Sequence, residues 1–226
     1  MDRRTLMMGA GAGVMAAGTY ALVRPQGALE LPLLPQPAHA QDAQAIPDAA
    51  PQVLEMMMGD PDAPVEVIEY ASFTCPHCAT FHRNTLPQIK ANYIDTGKVR
   101  WIYREVYFDR FGLWAGMVAR CAGPERYFGL VALTYERQAD WTQGPPGQVA
   151  DNLRNIGRLA GLSNDQLDTC LTDAPMAEAL IDRYEANMEI HDIAGTPHFV
   201  IDGEMYSNMS YADFAALLDE RYAAAQ

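Results

Sequence analysis

A strand pattern that runs directly into a C-x-x-C pair constrains the fold of this chain more than any other feature. VEVIEYASF, at residues 65–73, is rich in β-branched and aromatic residues, which predicts a strand. Pro76 follows closely, and proline is favoured at the first position of a helix. We therefore expect a helix that begins at Pro76, with Cys75 at or just before its first turn, and runs to about Tyr93 with a bend near Pro87.

Other patterns give the order of the remaining elements. VLEMMM at 53–58 predicts a short edge strand, and VRWIYREV at 99–106 predicts a second core strand. Asp-Gly at 202–203 stands between two short apolar segments and predicts a hairpin turn, after which Ser210 caps a last helix. Apolar spacing in the middle of the chain predicts five helices, at about 111–122, 125–139, 148–160, 164–172 and 175–191.

This order of elements indicates a fold. Without a helical insertion at about 105–194, the elements are β-α-β followed by β-β-α. That is the thioredoxin arrangement, and a strand leading into C-x-x-C at a helix start is its redox signature. The sequence therefore predicts an α/β protein with a thioredoxin fold at 53–224, a mixed central sheet and an inserted helical subdomain.

The first forty residues indicate export. Residues 1–40 begin with MDRR, continue with an apolar run at 6–23 and end with Ala-His-Ala, a pattern typical of an export signal. The paired arginines resemble a twin-arginine signal. The alternative is an uncleaved, membrane-tethering anchor followed by a proline-rich tether. Both versions place the folded part outside the cytoplasm, so we expect a periplasmic domain preceded by a disordered lead at 41–52.

The charge of the chain restricts its partners. The formal net charge is −13, which argues against nucleic acid because phosphate binding requires a basic face. No motif calls for a cofactor or a metal, and we expect neither.

Four kinds of chemistry are open to a C-x-x-C pair such as Cys75 and Cys78. Covalent haem requires a histidine directly after the second cysteine, where this chain has Ala79. Structural zinc requires four ligands, and the motif supplies at most three, with His82 as the third. His82, one turn beyond Cys78, is otherwise expected to face solvent. A purely structural disulfide would close too short a loop to stabilise the fold much. Thiol–disulfide exchange remains.

The predicted helix start favours that exchange. Unpaired N–H groups and the helix dipole would direct positive charge at the Cys75 sulfur, and Pro76 costs no hydrogen bond there. A protonated His77 would add to this charge, and a lowered pKa of Cys75 would favour the reduced protein. Cys78, one turn further along, is expected to be the more buried, resolving thiol.

Two further positions remain open between a functional and a plain interpretation. Glu69 is either an outward-facing strand residue or, on a strand covered on both faces, a buried acid that exchanges a proton with Cys78. The Thr196-Pro197 bond is either an ordinary trans turn or a cis bond that presents the Thr196 backbone to a substrate chain.

With these residues in place, the chain resembles the DsbA-like branch of the thioredoxin superfamily over residues 53–224. The resemblance implies that Cys75 is the nucleophile, Cys78 the resolving cysteine, Pro197 a cis-proline facing them, and Glu69 the buried acid. It implies an exported disulfide oxidase acting on unfolded or reduced exported proteins and re-oxidised by a membrane quinone-linked partner. We expect a monomer, since the lead is too short for an added dimerisation segment.

Two other functions compete with this one. One is an isomerase or specialised reductase using the same cysteines, and the other is a chaperone-like module that binds unfolded chains. Phe73 and Phe81 could supply an apolar rim for such chains. Cys121 and Cys170, on predicted insertion helices, are either free buried thiols or, as we expect in an exported chain, a structural disulfide.

Overall fold

The computed structural model of the chain describes residues 51–226. The predicted export signal and nearly all of the predicted disordered lead lie outside these residues. Within 51–226, no helix combines the length and the apolar character that crossing a membrane requires.

Five strands form one mixed sheet. They are β1 (Met56–Met58), β2 (Val65–Ala71), β3 (Val99–Glu105), β4 (His198–Ile201) and β5 (Glu204–Ser207). Their order is β1-β3-β2-β4-β5, with β2 and β3 parallel and every other pair antiparallel. Asp202 and Gly203 join β4 to β5 with φ values of 46° and 86°, the conformation that favours Asp-Gly in a two-residue hairpin. The predicted mixed sheet and hairpin are confirmed.

The helix after β2 is shorter than the sequence suggested. It is divided into α1 (Pro76–Asn84), α2 (Leu86–Ile89) and a short π-helix (Lys90–Ile94). A continuous helix would require an N–H at Pro87, which proline lacks, and the proline ring would clash with the preceding turn. The helix is therefore broken at Thr85, where the sequence suggested only a bend near Pro87. The expectation of one helix to Tyr93 was wrong.

Six helices lie between β3 and β4 and form the helical insertion. Gly161 follows α6 with a φ of +85°, and Ser163 forms a capping box with Gln166 at the start of α7. The six helices are α3 (Arg110–Cys121), α4 (Pro124–Glu136), α5 (Gln138–Trp141), α6 (Pro146–Leu159), α7 (Asn164–Leu171) and α8 (Ala174–Ile190).

The sheet is covered on both sides. Alternate residues of β2, such as Val65 and Val67, pack in an aromatic core with Phe81 of α1 and Phe214 of the last helix, α9 (Tyr211–Ala224). Tyr70 points to the opposite face, towards partly buried residues of α8. A strand covered on both faces buries every side chain it carries, polar ones included, and all of β2 except Glu66 is buried.

Two features hold the helical insertion together. A disulfide joins Cys121 at the end of α3 to Cys170 in α7, 49 residues apart in sequence. In the chain-entropy model, closing a loop of that length with a disulfide stabilises the folded protein by about 3–4 kcal/mol. The side chain of Arg120 forms a two-pronged ion pair with Glu105 of β3, with N–O distances of 2.6 and 2.8 Å, and Tyr127 donates to the same carboxylate at 2.6 Å.

Candidate active site

Cys75 occupies the position just before the first turn of α1. It is the N-cap residue, and Pro76 takes the first helical position. The N–H of Cys75 donates to the Ser72 carbonyl at 3.0 Å, and the Gln138 amide donates to the carbonyls of Phe73 (2.7 Å) and Cys75 (2.9 Å). A side chain of the insertion thus fixes the loop that carries the first cysteine.

The two cysteines are free thiols in very different surroundings. Cys75 is half-buried, whereas Cys78 is fully buried. A hydrogen bond from the Cys78 thiol lowers the pKa of Cys75 to about 5, against the opposing effect of burial. The Thr196 hydroxyl and the main-chain N–H groups of Cys78 and His77 contribute in the same direction. Burial, the neighbouring Cys75 sulfur and the Glu69 charge raise the pKa of Cys78 far above its usual range, against a lowering contribution from the Thr196 hydroxyl.

The structure changes the part expected of His77. Its side chain is exposed, and the group that lowers the pKa of Cys75 is its main-chain N–H. The stabilisation of the thiolate therefore comes from the partner thiol, the Thr196 hydroxyl and the main-chain N–H groups at the helix N-terminus, which are fixed by the fold.

The loop before β4 faces the first cysteine. The Thr196-Pro197 peptide bond is cis, and the Cys75 sulfur lies 3.3 Å from the Thr196 carbonyl oxygen. The Thr196 hydroxyl is buried and has no hydrogen-bond partner among the described residues. Its proton is therefore available to a sulfur anion.

Glu69 is fully buried below the active-site helix. Each of its carboxylate oxygens has one partner: His82 Nε2 lies 2.9 Å from Oε1, and the Trp101 indole donates to Oε2 at 3.1 Å. The expectation that His82 faces solvent was wrong, because the buried face of α1 carries both Cys78 and His82. The spacing of four residues between them was the sequence signal for this position.

The phenylalanines beside the motif do not form an exposed rim. Phe73 and Phe81 are both buried, in two different parts of the core, so that expectation was also wrong. The exposed aromatic residue of this region is Phe108, whose side chain is 59% exposed. It lies next to Asp109, the N-cap residue of α3, which accepts a hydrogen bond from Thr74 at 2.6 Å. Nothing in the local sequence indicated Phe108 or Gln138.

The site has no arrangement suited to a metal ion. Among residues 51–226, no three His, Cys, Asp or Glu side chains cluster in a way that could hold one. The groups that the fold brings together at this site are two thiols, a buried carboxyl group and the peptide groups around them.

Comparisons with known proteins agree on one family. The sequence profile of the family described as Thioredoxin matches residues 52–220. A Rickettsia bellii protein named "Putative protein-disulfide oxidoreductase" is 32% identical over 167 residues, which cover 74% of this chain and 64% of that protein. The chain thus spans about three fifths of the length of its Rickettsia relatives.

Solved structures give the same assignment. The crystal structure of Wolbachia pipientis alpha-DsbA1 is 31% identical, with a TM-score of 0.68 over 77% of this chain and 94% of that one. BdbD from Bacillus subtilis, at 20% identity and a TM-score of 0.64, shares the fold. The chain belongs to the DsbA-like oxidoreductases of the thioredoxin superfamily.

Proposed function

We propose that this protein is an exported thiol–disulfide oxidase that donates the Cys75–Cys78 disulfide to reduced proteins outside the cytoplasm. The observation that carries the proposal is the contrast between the two sulfurs. One is half-buried at a helix N-terminus and stabilised as an anion, while the other is fully buried and retains its proton. An anion stabilised in the reduced protein makes the disulfide the more reactive form.

The proposed cycle has two exchanges. A client thiolate attacks the Cys75 sulfur, the Cys75–Cys78 bond breaks, and Cys78 leaves and takes up a proton. A second client thiolate then attacks the client sulfur of the mixed disulfide and releases Cys75 as a thiolate. The client leaves oxidised, and the enzyme carries the two electrons to an external oxidant, which we propose to be a membrane quinone-linked protein.

The surroundings of Cys75 suit an extended client chain. The Thr196 carbonyl oxygen, at the cis peptide bond, lies 3.3 Å from the sulfur, so a client strand could form main-chain hydrogen bonds beside it while its own sulfur reacts. Such contacts recognise main chain, and they suit unfolded clients of many sequences. The export of this protein, its periplasmic location and its monomeric state belong to the same proposal.

A redox titration tests the direction of exchange. Equilibration of the 75–78 pair with glutathione at pH 7 should give a potential more oxidising than about −200 mV, whereas about −270 mV, typical of thioredoxins, would assign a reductase. An isomerase would instead reactivate scrambled ribonuclease faster than it oxidises the reduced enzyme. A chaperone-like module would retain its effect on unfolded chains after both cysteines are replaced.

The same titration has an expected pH dependence. Cys75 has a folded-state pKa of about 5 against an ordinary value of 9.0, so the reduced form gains stability as pH rises from 5 to 9 and loses it as pH falls through 5. The equilibrium constant for reduction by glutathione should therefore rise about tenfold per pH unit between pH 6 and 8 and level off below pH 5. A constant that does not change from pH 6 to 8 would contradict the thiolate assignment.

A further inference from the structure

We propose that His82 positions Glu69 and passes its proton between the active site and a surface cavity, an inference that rests on the proposed function. Each exchange cycle protonates Cys78 when it leaves the disulfide and deprotonates it when the disulfide re-forms. Because Cys78 and Glu69 are both fully buried, that proton needs a route through other groups.

The hydrogen bonds around Glu69 leave one direction for such a route. The Trp101 indole donates to Oε2 at 3.1 Å. An indole N–H is a donor only, so Trp101 cannot accept a proton from Glu69. The His82 ring, 2.9 Å from Oε1, can either donate to a carboxylate or accept from a carboxylic acid. Among the described partners of Glu69, His82 alone can take up its proton.

The position of His82 fits this role on both sides. Cys78 and His82 lie one turn apart on the inner face of α1. His82 contacts Glu69 directly, and the Glu69 charge is near enough to Cys78 to raise its pKa. The His82 ring is held by Tyr135, with ring centres 4.1 Å apart, and by an edge contact with Tyr103 at 5.7 Å. These contacts fix the ring so that one nitrogen faces the carboxyl group.

The other side of His82 borders a cavity of about 310 Å³. Exposed residues such as Pro87, Lys90 and Ala132 lie on its wall, so it opens to solvent away from the Cys75 surface. The remaining wall is largely apolar, and it includes Met58, Leu86, Phe128 and Val131. A proton released by His82 therefore has a short path to water.

The route balances with the exchange chemistry. When a client thiolate breaks the Cys75–Cys78 bond, His82 delivers a proton from the cavity to the Glu69 carboxylate, and Glu69 passes that proton to the Cys78 thiolate. When the external oxidant re-forms the disulfide, Cys78 gives its proton to the Glu69 carboxylate, and His82 removes it. The ionisable and charged groups that face His82 are Glu69 of β2, Tyr103 of β3 and Tyr135 of α4, with Lys90 across the cavity.

His82→Gln tests the route, because glutamine can still donate to Glu69 Oε1 but cannot carry a proton. We expect the rate of Cys75–Cys78 disulfide formation, measured at pH 7 by stopped-flow tryptophan fluorescence after mixing with oxidised glutathione, to fall at least about tenfold. The pH at which iodoacetamide labelling of Cys75 is half-maximal should stay unchanged. His191→Gln is the matched control, since that histidine bonds Tyr70 on the opposite face of the sheet, and it should keep the wild-type rate.

Three further variants make the test independent of a packing defect. Glu69→Gln should slow the same step, and the double variant Glu69→Gln/His82→Gln should be no slower than Glu69→Gln alone, because both residues act on one route. Added imidazole should accelerate His82→Ala through the cavity in proportion to its concentration.

The proton route would be overturned, with the exchange function still standing, by either of two results. One is a wild-type rate of disulfide formation in His82→Gln from pH 5 to 9, and the other is additive losses of that rate in the double variant. A wild-type protein that cannot form or transfer the disulfide at all would instead overturn the proposed function.

Discussion

Replacing Cys75 with serine should abolish disulfide transfer to a reduced client peptide, by more than about 1,000-fold in rate. The serine hydroxyl cannot form the mixed disulfide, and the buried Cys78 sulfur is not open to a client chain. The rate is measured by mass spectrometry of the client after acid quenching and alkylation.

Cys78→Ser should behave differently from Cys75→Ser. With Cys75 retained at the helix N-terminus, activated client disulfides should still be attacked, and the mixed disulfide should accumulate on non-reducing gels because no resolving thiol follows. The control is the double variant Cys121→Ser/Cys170→Ser, whose disulfide joins α3 and α7 within the insertion, and it should retain transfer. Transfer by Cys75→Ser, or the absence of a trapped complex with Cys78→Ser, would contradict the assigned roles.

Arg120→Met should give the largest loss of stability among single changes outside the active site. It removes the two-pronged partner of Glu105, whose side chain is only 7% exposed, and leaves that carboxylate buried with the Tyr127 hydroxyl alone. Breaking one side of a buried ion pair typically costs about 3–5 kcal/mol. Urea unfolding monitored by circular dichroism at pH 7 measures the change in free energy of unfolding.

Two comparisons separate the uncompensated charge from other effects of losing Arg120. The double variant Glu105→Gln/Arg120→Met buries no unpaired charge and should recover part of the loss. Arg154→Met breaks ion pairs with Asp151 and Asp168, whose side chains are 70% and 62% exposed, and should cost less than about 1 kcal/mol. Equal losses for Arg120→Met and Arg154→Met would contradict the assigned role of the Glu105–Arg120 pair.

Local sequence patterns were sufficient for the elements that build the site. The strand before the cysteines, Pro76 at the first helical position and the Asp-Gly hairpin each depend on preferences of neighbouring residues, and each lies where the pattern indicated. The order of these elements then determined the fold class, since few folds combine them with a C-x-x-C pair at a helix start.

Contacts between distant parts of the chain could not be read in the same way. His82 was expected to face solvent because the sequence does not show how deeply α1 is buried against the sheet. Gln138 supports the Cys75 loop from 63 residues away, and glutamine on a helix surface carries no signal for such a contact. Phe73 and Phe81 were placed at a rim because proximity in sequence to the cysteines says nothing of the direction of their side chains.

The central claim is that the fold itself stabilises a thiolate at Cys75, and direct titration of that sulfur tests it. Absorbance at 240 nm is followed from pH 3 to 10 on the reduced wild-type protein, with Cys75→Ser as the blank. We predict a single thiolate that appears with a pKa of about 5. Ionisation near pH 9, the ordinary value for a cysteine, would contradict it.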